Sequence, residues 1–286
     1  MTDKKNILIT GGVGFIGSNL AERLMKEGHN VLSIDDYSFG KQENEHKNVK
    51  YINDDLENIH SINEPIDLCY HLAAKARVQP SFDDPIDYFR VNAKGTMEVM
   101  EWAKKNNVKV VYAGSSSKHF SPEDSPYAMY KFLGEQVIKL YKKSFNVKAE
   151  IARFYNVYGP RENRDEKFGN VIGIWTAKAM KGKTLPIVGD GMQRRDFTHV
   201  HDIVDGLIKI GFSNISEEDG WELGTGNNYS VNELFEMFKI RFNAEATFIP
   251  DQPGNYKKTL RKNDKLLELL DWKPSDKLAE HIKNLS

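Results

Sequence analysis

A short apolar run that leads directly into a cluster of glycines limits the fold of this chain more than any other feature. Residues 5–10 (KNILIT) are typical of a strand buried on both faces. Gly12, Gly14 and Gly17 follow in the pattern G-x-G-x-x-G, and apolar residues then recur at helical spacing as far as Gly28. The first glycine permits a tight turn, the second lets the backbone approach a phosphate, and the third lets helix and strand pack closely. The pattern therefore predicts a strand, a phosphate-binding turn and a helix at the start of a parallel α/β sheet.

Two carboxylates after the next strand-like run indicate which dinucleotide such a turn binds. Residues 30–34 (NVLSI) form that run, and Asp35 and Asp36 follow it, about 20 residues after the glycines. A carboxylate at this place accepts hydrogen bonds from the adenosine ribose of NAD and repels the 2′-phosphate of NADP. We therefore predict NAD as the cofactor; the alternative is a glycine-rich turn that binds nothing.

Strand-like and helical segments continue to alternate through the first half of the chain. The small-residue loop LAAKARV and the serines at 115–117 each follow a predicted strand. Strands that alternate with helices form a parallel sheet, and ligands bind at the carboxyl ends of its strands. These loops are therefore expected to line a binding site. The further strands are predicted at 49–52, 66–71 and 108–113, and a helix at 88–106.

A tyrosine and a lysine four positions apart are a candidate catalytic pair. Tyr127 and Lys131 share one face of the predicted helix SPYAMYKFLGEQVIKLYKKSF. An ammonium group beside a phenol lowers the phenol pKa, and the tyrosine can then act as general acid and base. A serine hydroxyl from 115–117 can hydrogen-bond the same substrate oxygen. The alternative is an exposed pair without chemistry; Tyr130 points elsewhere on the helix and is the weaker candidate.

Composition excludes several other classes of protein. The 286 residues carry 40 Lys and Arg against 41 Asp and Glu, and the net charge of −1 lacks the basic excess of a nucleic-acid-binding domain. No run reaches the ~18 apolar residues of a membrane span, and no signal-peptide cleavage site follows the opening residues. The single cysteine, Cys69, cannot form an internal disulfide. We expect a cytoplasmic globular protein without nucleic-acid or membrane partners.

Eight short motifs follow one another in an order shared with a known family. They are TGGVGFIG, HLAA, VNAKGT, SPYAMYK, RFYNVYGPR, RRDFTHVHD, LGTG and LLDW, and they cover nearly the whole chain. In this the chain resembles the extended short-chain dehydrogenases/reductases, the NAD-dependent epimerase/dehydratase family, and most closely its UDP-galactose (UDP-glucose) 4-epimerase-like branch. The resemblance implies a Rossmann-type doubly wound parallel sheet with a smaller C-terminal substrate-binding α/β domain. We expect residues 1–157 to form the NAD-binding domain, rejoined by about 195–211, and residues 158–286 to bind a nucleotide sugar.

The resemblance also implies roles for the matching positions of the cofactor and catalytic sites. Tyr127 and Lys131 match the catalytic pair, and counting back from Phe120 places Ser116 at the catalytic Ser/Thr position. Ser115 and Ser117 remain alternatives. The positions that match the family's cofactor site are Gly11, Gly14, Phe15, Ile16, Gly17, Asp35, Asp36, Asp55, Leu56, Leu72, Ala73, Ala74, Asn92, Tyr127 and Lys131.

For the substrate, the resemblance implies five residues. Ser116 is one of them. Asn156 and Asn170 match residues that hold the sugar and the diphosphate, and Arg195 matches an arginine that clamps the diphosphate. The planar guanidinium fork suits that task. Thr259 matches a position whose small size admits an N-acetyl group, which leaves both UDP-hexoses and UDP-N-acetylhexosamines as expected substrates.

No metal is expected. His199, His201 and Asp202 lie close together in RRDFTHVHD, but a tetrahedral site needs further ligands, and the family motif already explains this run.

Several positions depart from the family pattern. Ser117 and Lys118 stand where dehydratases and decarboxylases carry acidic residues, which disfavours elimination. Ser116 and Tyr127 are 11 positions apart, so the loop between them is short for the family, and the pocket is expected to be more open or closed by a partner. Val188 replaces an aromatic residue near the base. Gln252 replaces a second diphosphate arginine, for which the possible substitutes are Lys257, Lys258 and Arg261.

These features together predict a nucleotide-sugar 4-epimerase that oxidises C4 transiently and returns the hydride to the other face. The alternatives are a dehydratase or reductase of the same family and a non-catalytic NAD-binding regulator. Because the family commonly dimerises through a helix bundle that includes the Tyr127 helix, a homodimer is expected. Phe132, Val137 and Leu140 are candidate residues for that interface, and packing within the subunit is the alternative.

Overall fold

Seven parallel strands form the central sheet of the computed structural model, which describes residues 3–285. The strand order is β10-β6-β5-β4-β1-β2-β3, so the chain reverses its direction of travel between β1 and β4. In open α/β sheets, ligands bind at this switch point, outside the carboxyl ends of the strands. The predicted doubly wound, Rossmann-type sheet is confirmed. Its strands are β1 (Asn6–Thr10), β2 (Asn30–Asp35), β3 (Lys50–Asn53), β4 (Leu68–His71), β5 (Lys109–Ser115), β6 (Ala149–Phe154) and β10 (Trp221–Leu223).

Helices cover both faces of this sheet. One face packs against α1 (Phe15–Lys26) and α7 (Val200–Phe212), and the other packs against α4 (Gly95–Asn106) and α5 (Pro126–Phe145). Neighbouring positions on β1 alternate between the two cores, because side chains along a strand point to opposite faces. Both faces of the strands are therefore apolar, as the sequence predicted.

The predicted helix at 88–106 has a composite structure. It begins as α3 (Pro85–Phe89), passes through a π-helical segment at Arg90–Lys94 and continues as α4. The Asp84 side chain accepts a hydrogen bond from the Asp87 backbone N–H, which caps the start. Single π turns within helices are frequent at functional sites, and this one holds Asn92.

The helix that carries Tyr127 and Lys131 has capping residues at both ends. The Ser125 hydroxyl accepts the backbone N–H of Ala128, and Pro126 occupies the first turn, where a missing N–H costs nothing. Asn146 ends the helix in the left-handed conformation, with a φ of 55°. The start of α5, and with it the position of Tyr127, is thus fixed by local sequence.

The smaller domain has its own core, built on two short sheets. A three-stranded sheet has the order β11-β9-β7, and β8 pairs in parallel with β12. Trp175, Leu234 and Phe238 are almost completely buried between these sheets and their helices. The elements are β7 (Asn156–Tyr158), β8 (Leu185–Val188), β9 (Arg194–His199), β11 (Asn228–Ser230), β12 (Ala246–Ile249), α6 (Val171–Ala179), α8 (Val231–Phe242) and α10 (Leu278–Lys283), while two short helices, α2 (Val78–Asp83) and α9 (Lys265–Leu270), lie elsewhere.

The strand that returns to the central sheet is not in the expected segment, about 195–211. Helix α7 does pack against α1, but β9 pairs with β7 and β11 rather than with the central sheet. The seventh strand is β10, which pairs with β6, and it was not predicted. The two arginines that begin β9 are instead bonded within the smaller domain, Arg194 to Asn228 and Arg195 to the 255–256 segment. None of the helices within residues 3–285 is both long and apolar enough to cross a membrane.

Candidate active site

A cleft of about 1060 Å³ runs along the carboxyl ends of the central strands and into the smaller domain. Asn92 is the one predicted site residue that does not line it. Those that do are Gly11, Gly14, Phe15, Ile16, Gly17, Asp35, Asp36, Asp55, Leu56, Leu72, Ala73, Ala74, Ser116, Tyr127, Lys131, Asn156, Asn170, Arg195 and Thr259.

The glycine turn after β1 leaves no space for side chains. Gly11 has a φ of 78°, and a Cβ there would lie 2.8 Å from the Ala73 backbone nitrogen. A Cβ on Gly17 would lie 2.1 Å from the Gly11 carbonyl oxygen. Gly12 lies inside the turn, which the hydrogen bond from the Gly14 N–H to the Gly11 carbonyl closes at 3.2 Å, and a Cβ on Gly12 would lie 2.2 Å from the Ser33 hydroxyl oxygen. Gly11 enters the turn in the left-handed region, which is open to glycine without steric cost.

The start of α1 presents free backbone N–H groups to the cleft. Gly14 precedes the helix without a side-chain cap, and Gly14, Phe15 and Ile16 line the cleft. An uncapped helix N-terminus combines unpaired N–H donors with the positive end of the helix dipole. The residues present thus fit the diphosphate of a dinucleotide.

Asp35 is held in place by the glycine turn itself. Its carboxylate accepts hydrogen bonds from the backbone N–H groups of Val13 at 3.0 Å and Tyr37 at 2.9 Å, and burial raises the pKa of this carboxyl. Asp36 is exposed and accepts the backbone N–H of Ser38 instead. Of the two carboxylates, Asp35 is therefore the one positioned at the end of β2 for a ribose.

We expect Asp35→Ala to weaken binding of NAD far more than binding of NADP. The substitution removes both the ribose acceptor and the charge that repels a 2′-phosphate. Titration calorimetry with each cofactor measures the two losses, with Asp36→Ala as the neighbouring control. Equal losses for NAD and NADP would contradict the ribose assignment.

Asn92 supports the cleft from behind. Its amide is almost fully buried, and it accepts the Lys75 backbone N–H at 2.8 Å and donates to the Lys75 carbonyl at 2.9 Å. The resemblance implied a helix residue that supports the cofactor site, and these two bonds hold the loop after β4. At the far end of the cofactor side, Asp55 forms an ion pair with Arg90 at 2.6 Å.

Ser115, rather than Ser116, contacts the tyrosine. The Tyr127 hydroxyl lies 3.3 Å from the Ser115 hydroxyl, which also accepts hydrogen bonds from the backbone and side chain of Ser117. Counting back from Phe120 misses this, because β5 extends to Ser115 and the chain then turns into a 3₁₀ helix at Ser116–His119. Ser116 lines the same cleft, and its side chain has no hydrogen bond within residues 3–285.

Lys131 is buried beneath the site rather than bonded to Tyr127. Its ammonium donates to the Ala113 carbonyl at 2.6 Å and lies 4.6 Å from the centre of the Tyr112 ring. Burial lowers the pKa of Lys131 to about 8. The pKa of Tyr127 is raised by burial, an effect that the hydrogen bond with Ser115 and the positive charge of Arg77 oppose. The spacing of Tyr127 and Lys131 predicted that Lys131 lowers the Tyr127 pKa, whereas in the structure the charge that does so is that of Arg77.

The predicted substrate residues are brought together at the smaller domain. The Arg195 guanidinium donates to the Tyr256 carbonyl and to the Asn255 side chain, both at 2.6 Å, and burial lowers its pKa to about 10. The Asn156 amide donates to the Thr259 hydroxyl at 3.2 Å. Arg195 has no carboxylate partner within residues 3–285, which leaves its charge available to an anion.

Asn170 is largely committed to the protein. Its side chain caps α6 by accepting the Gly173 N–H at 2.6 Å, and it donates to the Val157 carbonyl at 2.7 Å and to Glu162. The predicted contact between this side chain and the substrate would compete with these bonds. Asn170 nevertheless lines the cleft at the start of α6.

The short loop between Ser116 and Tyr127 is covered by the C-terminal part of the same chain. Phe120 stacks on Tyr256 with ring centres 3.8 Å apart, and the Gln79 amide donates to the Pro253 carbonyl at 2.7 Å. Gln252 lines the cleft, but none of its proposed substitutes does. Lys257 and Lys258 are exposed, while Arg261 pairs with Asp264 at 2.6 Å.

The histidines once considered as metal ligands serve structure instead. His199 caps α7 by accepting the backbone N–H of His201, and its ring lies edge-on to Tyr158. Among residues 3–285 no group of three His, Cys, Asp or Glu side chains is arranged to hold a metal ion.

Comparison with known proteins gives consistent matches along the chain. Residues 7–218 match the NAD dependent epimerase/dehydratase family. The chain is 32% identical to a putative UDP-glucose 4-epimerase of Methanocaldococcus jannaschii, over 98% of this chain and 96% of that protein. It is 31% identical to UDP-glucuronic acid decarboxylase 1 of Xenopus tropicalis, over 98% of this chain and 71% of that protein.

A solved structure has the same fold with the cofactor in place. It is the UDP-glucuronic acid 4-epimerase of Bacillus cereus in complex with UDP-glucuronic acid and NAD, which is 27% identical, with a TM-score of 0.89 over 98% of this chain and 97% of that one. The family and this neighbour identify NAD as the cofactor. The family match, the full-length relatives and the shared fold together show that this chain belongs to the NAD-dependent epimerase/dehydratase family.

Proposed function

We propose that this protein is a nucleotide-sugar 4-epimerase that acts on UDP-hexoses or UDP-N-acetylhexosamines. The observation that carries the proposal is the contact between Tyr127 and Ser115 at the carboxyl end of β5, in the cleft that continues to Arg195. No carboxylate takes part in this contact. Ser117 and Lys118 follow in the chain, so the site lacks the adjacent acid that an elimination requires.

In the proposed reaction, Tyr127 exchanges a proton with the sugar O4 while C4 is oxidised and reduced again. NAD, when bound, supplies the redox chemistry at C4. Ser115 holds the Tyr127 hydroxyl in position, and because a serine hydroxyl can donate as well as accept, it can pass its proton to Tyr127 or to the sugar. Ser116, at the mouth of the same cleft, is placed to bind the sugar.

The diphosphate and the sugar would be held by groups of the smaller domain. Arg195 offers a planar set of donors without a carboxylate partner among residues 3–285, which suits a diphosphate. Thr259 is small and lies beside Asn156, and we propose that this leaves room for an N-acetyl group. Binding energy from the nucleotide can then retain the oxidised sugar until it is reduced on its other face.

The proposal is tested with a panel of UDP-, GDP-, CDP- and dTDP-sugars incubated with the NAD-loaded protein. NMR reads inversion at C4 directly, and mass spectrometry reads loss of water or of carbon dioxide. Inversion without net consumption of added NADH or NADPH supports an epimerase. Elimination, decarboxylation or stoichiometric reduction would identify one of the other family activities, and binding of NAD without any conversion would identify a non-catalytic role.

The serine assignment gives a direct comparison. We expect Ser115→Ala to lower kcat by about ten- to a hundredfold, because general acid–base steps depend on the position of the proton-transferring group. It should also move the ascending limb of the pH profile to higher pH, since the Ser115 hydrogen bond lowers the pKa of Tyr127. Ser116→Ala should instead act mainly on KM. If Ser116→Ala lowered kcat more than Ser115→Ala, Ser116 would be the catalytic serine, as the resemblance implied.

We also propose a homodimer formed through the helices α3 to α5. Phe89, Met97 and Leu140 expose about half of their apolar surface on these helices. Sedimentation equilibrium measures the mass directly, and a concentration-independent monomer would contradict this proposal.

A further inference from the structure

Six cationic side chains line the cleft, and three of them have no ion-pair partner among residues 3–285. Three lysines that line it are paired: Lys75 with Asp87, Lys167 with Asp83 at 2.8 Å, and Lys178 with Glu166 at 3.0 Å. Three other cations, Arg77, Lys131 and Arg195, have no carboxylate within 4.0 Å among residues 3–285. Lys131 and Arg195 already have proposed roles, in catalysis and in diphosphate binding. Arg77 has none.

Arg77 lies next to the reacting end of the cleft. It directly precedes α2, and the Ser81 hydroxyl of that helix accepts the backbone N–H of Tyr127 at 3.1 Å, so α2 rests on the first turn of α5. The Arg77 side chain donates from Nε to the Phe168 carbonyl at 2.9 Å. This bond fixes the plane of the guanidinium and leaves its two terminal nitrogens without a recorded acceptor in residues 3–285. Tyr127 is close enough for the Arg77 charge to lower its pKa.

Glu162 does not satisfy Arg77. Its charge acts on the Arg77 guanidinium, but among residues 3–285 the two groups form no ion pair within 4.0 Å, and Glu162 accepts a hydrogen bond from Asn170. Arg77 is half-buried, so its terminal N–H groups are open to the cleft and can pair with a ligand that brings its own negative charge. Two terminal N–H groups in a fixed plane match the two oxygens of a carboxylate.

We propose that Arg77 binds a carboxylate on the sugar ring of the substrate, so that the protein extends its range beyond the neutral sugars named above and binds a UDP-hexuronic acid more tightly than the corresponding UDP-hexose. The proposal rests on the proposed function, in which Tyr127 acts on O4. C5, the ring neighbour of C4, carries the C6 carboxylate of a hexuronic acid, so a cation beside Tyr127 is within reach of that group. Arg195 lies on β9 in contact with the 255–256 segment, which keeps the diphosphate and the carboxylate at separate cations.

The test compares UDP-glucuronic acid with UDP-glucose, which differ only at C6. Calorimetry measures the affinity of both for the NAD-loaded full chain in four forms: the natural protein, Arg77→Gln, Arg77→Lys and the control Arg23→Gln. Arg23 is a half-exposed arginine on α1 that pairs with Glu27 outside the cleft. We expect Arg77→Gln to lower affinity for UDP-glucuronic acid at least tenfold and affinity for UDP-glucose less than twofold. Arg77→Lys should recover part of the loss, and the control should change neither.

Three results would overturn the proposal. Equal losses for the two sugars would mean that Arg77 only holds the 168 segment or contacts the shared diphosphate, and no loss would mean that it binds nothing. Weaker binding of UDP-glucuronic acid than of UDP-glucose by the natural protein would also contradict it, even if Arg77→Gln did not fold. Absence of C4 inversion on every sugar would overturn the epimerase activity instead, while the selectivity of binding would still decide the role of Arg77.

Discussion

We expect Tyr127→Phe to lower the rate of C4 inversion by at least about a thousandfold while the protein stays folded and binds NAD. The Tyr127 phenol contacts the Ser115 hydroxyl at the carboxyl end of β5 and lines the cleft, and positioned general acid–base groups contribute about 10²–10⁴ in rate. Loss of its single 3.3 Å hydrogen bond should cost only about 1 kcal/mol of stability. The rate is measured by NMR on the best substrate of the sugar panel.

The neighbouring Tyr130→Phe is the matched control, because Tyr130 lies on the same helix and its ring packs edge-on against Phe89. It should keep nearly full activity. Turnover by Tyr127→Phe within tenfold of the natural protein would remove Tyr127 from the mechanism, and a comparable fall in Tyr130→Phe would point to a disturbance of α5 rather than to lost chemistry.

Gly11→Ala should reduce NAD affinity at least tenfold and lower the melting temperature. The substitution meets two obstacles at once. A φ of 78° costs an L-residue about 1–2 kcal/mol, and the new Cβ would lie 2.8 Å from the nitrogen and 2.9 Å from the Cα of Ala73. Relief of that contact separates the turn after β1 from the loop after β4, and both of these line the cofactor end of the cleft.

Gly28→Ala separates the two effects. Gly28 has a φ of 91°, but a Cβ there meets no atom within 4 Å. It should therefore lower the melting temperature through the backbone alone and leave NAD affinity unchanged. Differential scanning fluorimetry and calorimetry with NAD measure both variants. If Gly11→Ala bound NAD as tightly as Gly28→Ala, the close approach of Gly11 and Ala73 would not shape the cofactor site.

Most of the central sheet can be derived from local pattern. Strands β1 to β5 lie within one or two residues of the predicted runs, because a strand buried on both faces must be continuously apolar and short. Both ends of the helix that carries Tyr127 can also be predicted from local sequence, because Ser125 and Pro126 favour a helix start and Asn146 favours a helix end. Strand β10 was missed because three residues, Trp221 to Leu223, carry too little periodicity to identify a strand.

Less of the candidate site than of the sheet can be predicted from the sequence. Residue types and spacing pointed to the glycine turn, Asp35, Tyr127 and Lys131, all of which line one cleft. The choice among three consecutive serines was not accessible, because it depends on where β5 ends and the 3₁₀ turn begins. Arg77 was overlooked for a similar reason: only the packing of α2 on α5 brings it near Tyr127.

The fold class, the glycine turn and the presence of a Tyr-Lys pair follow from the sequence alone, because each depends on residues close together in the chain. Only the folded chain shows which atoms of those residues meet. The Tyr127 hydroxyl contacts Ser115, the Asn92 amide bonds to the backbone of Lys75, and the charge that acts on Tyr127 belongs to Arg77. Such assignments depend on distances of a few tenths of an ångström between segments far apart in sequence, and spacing along the chain carries no information about them.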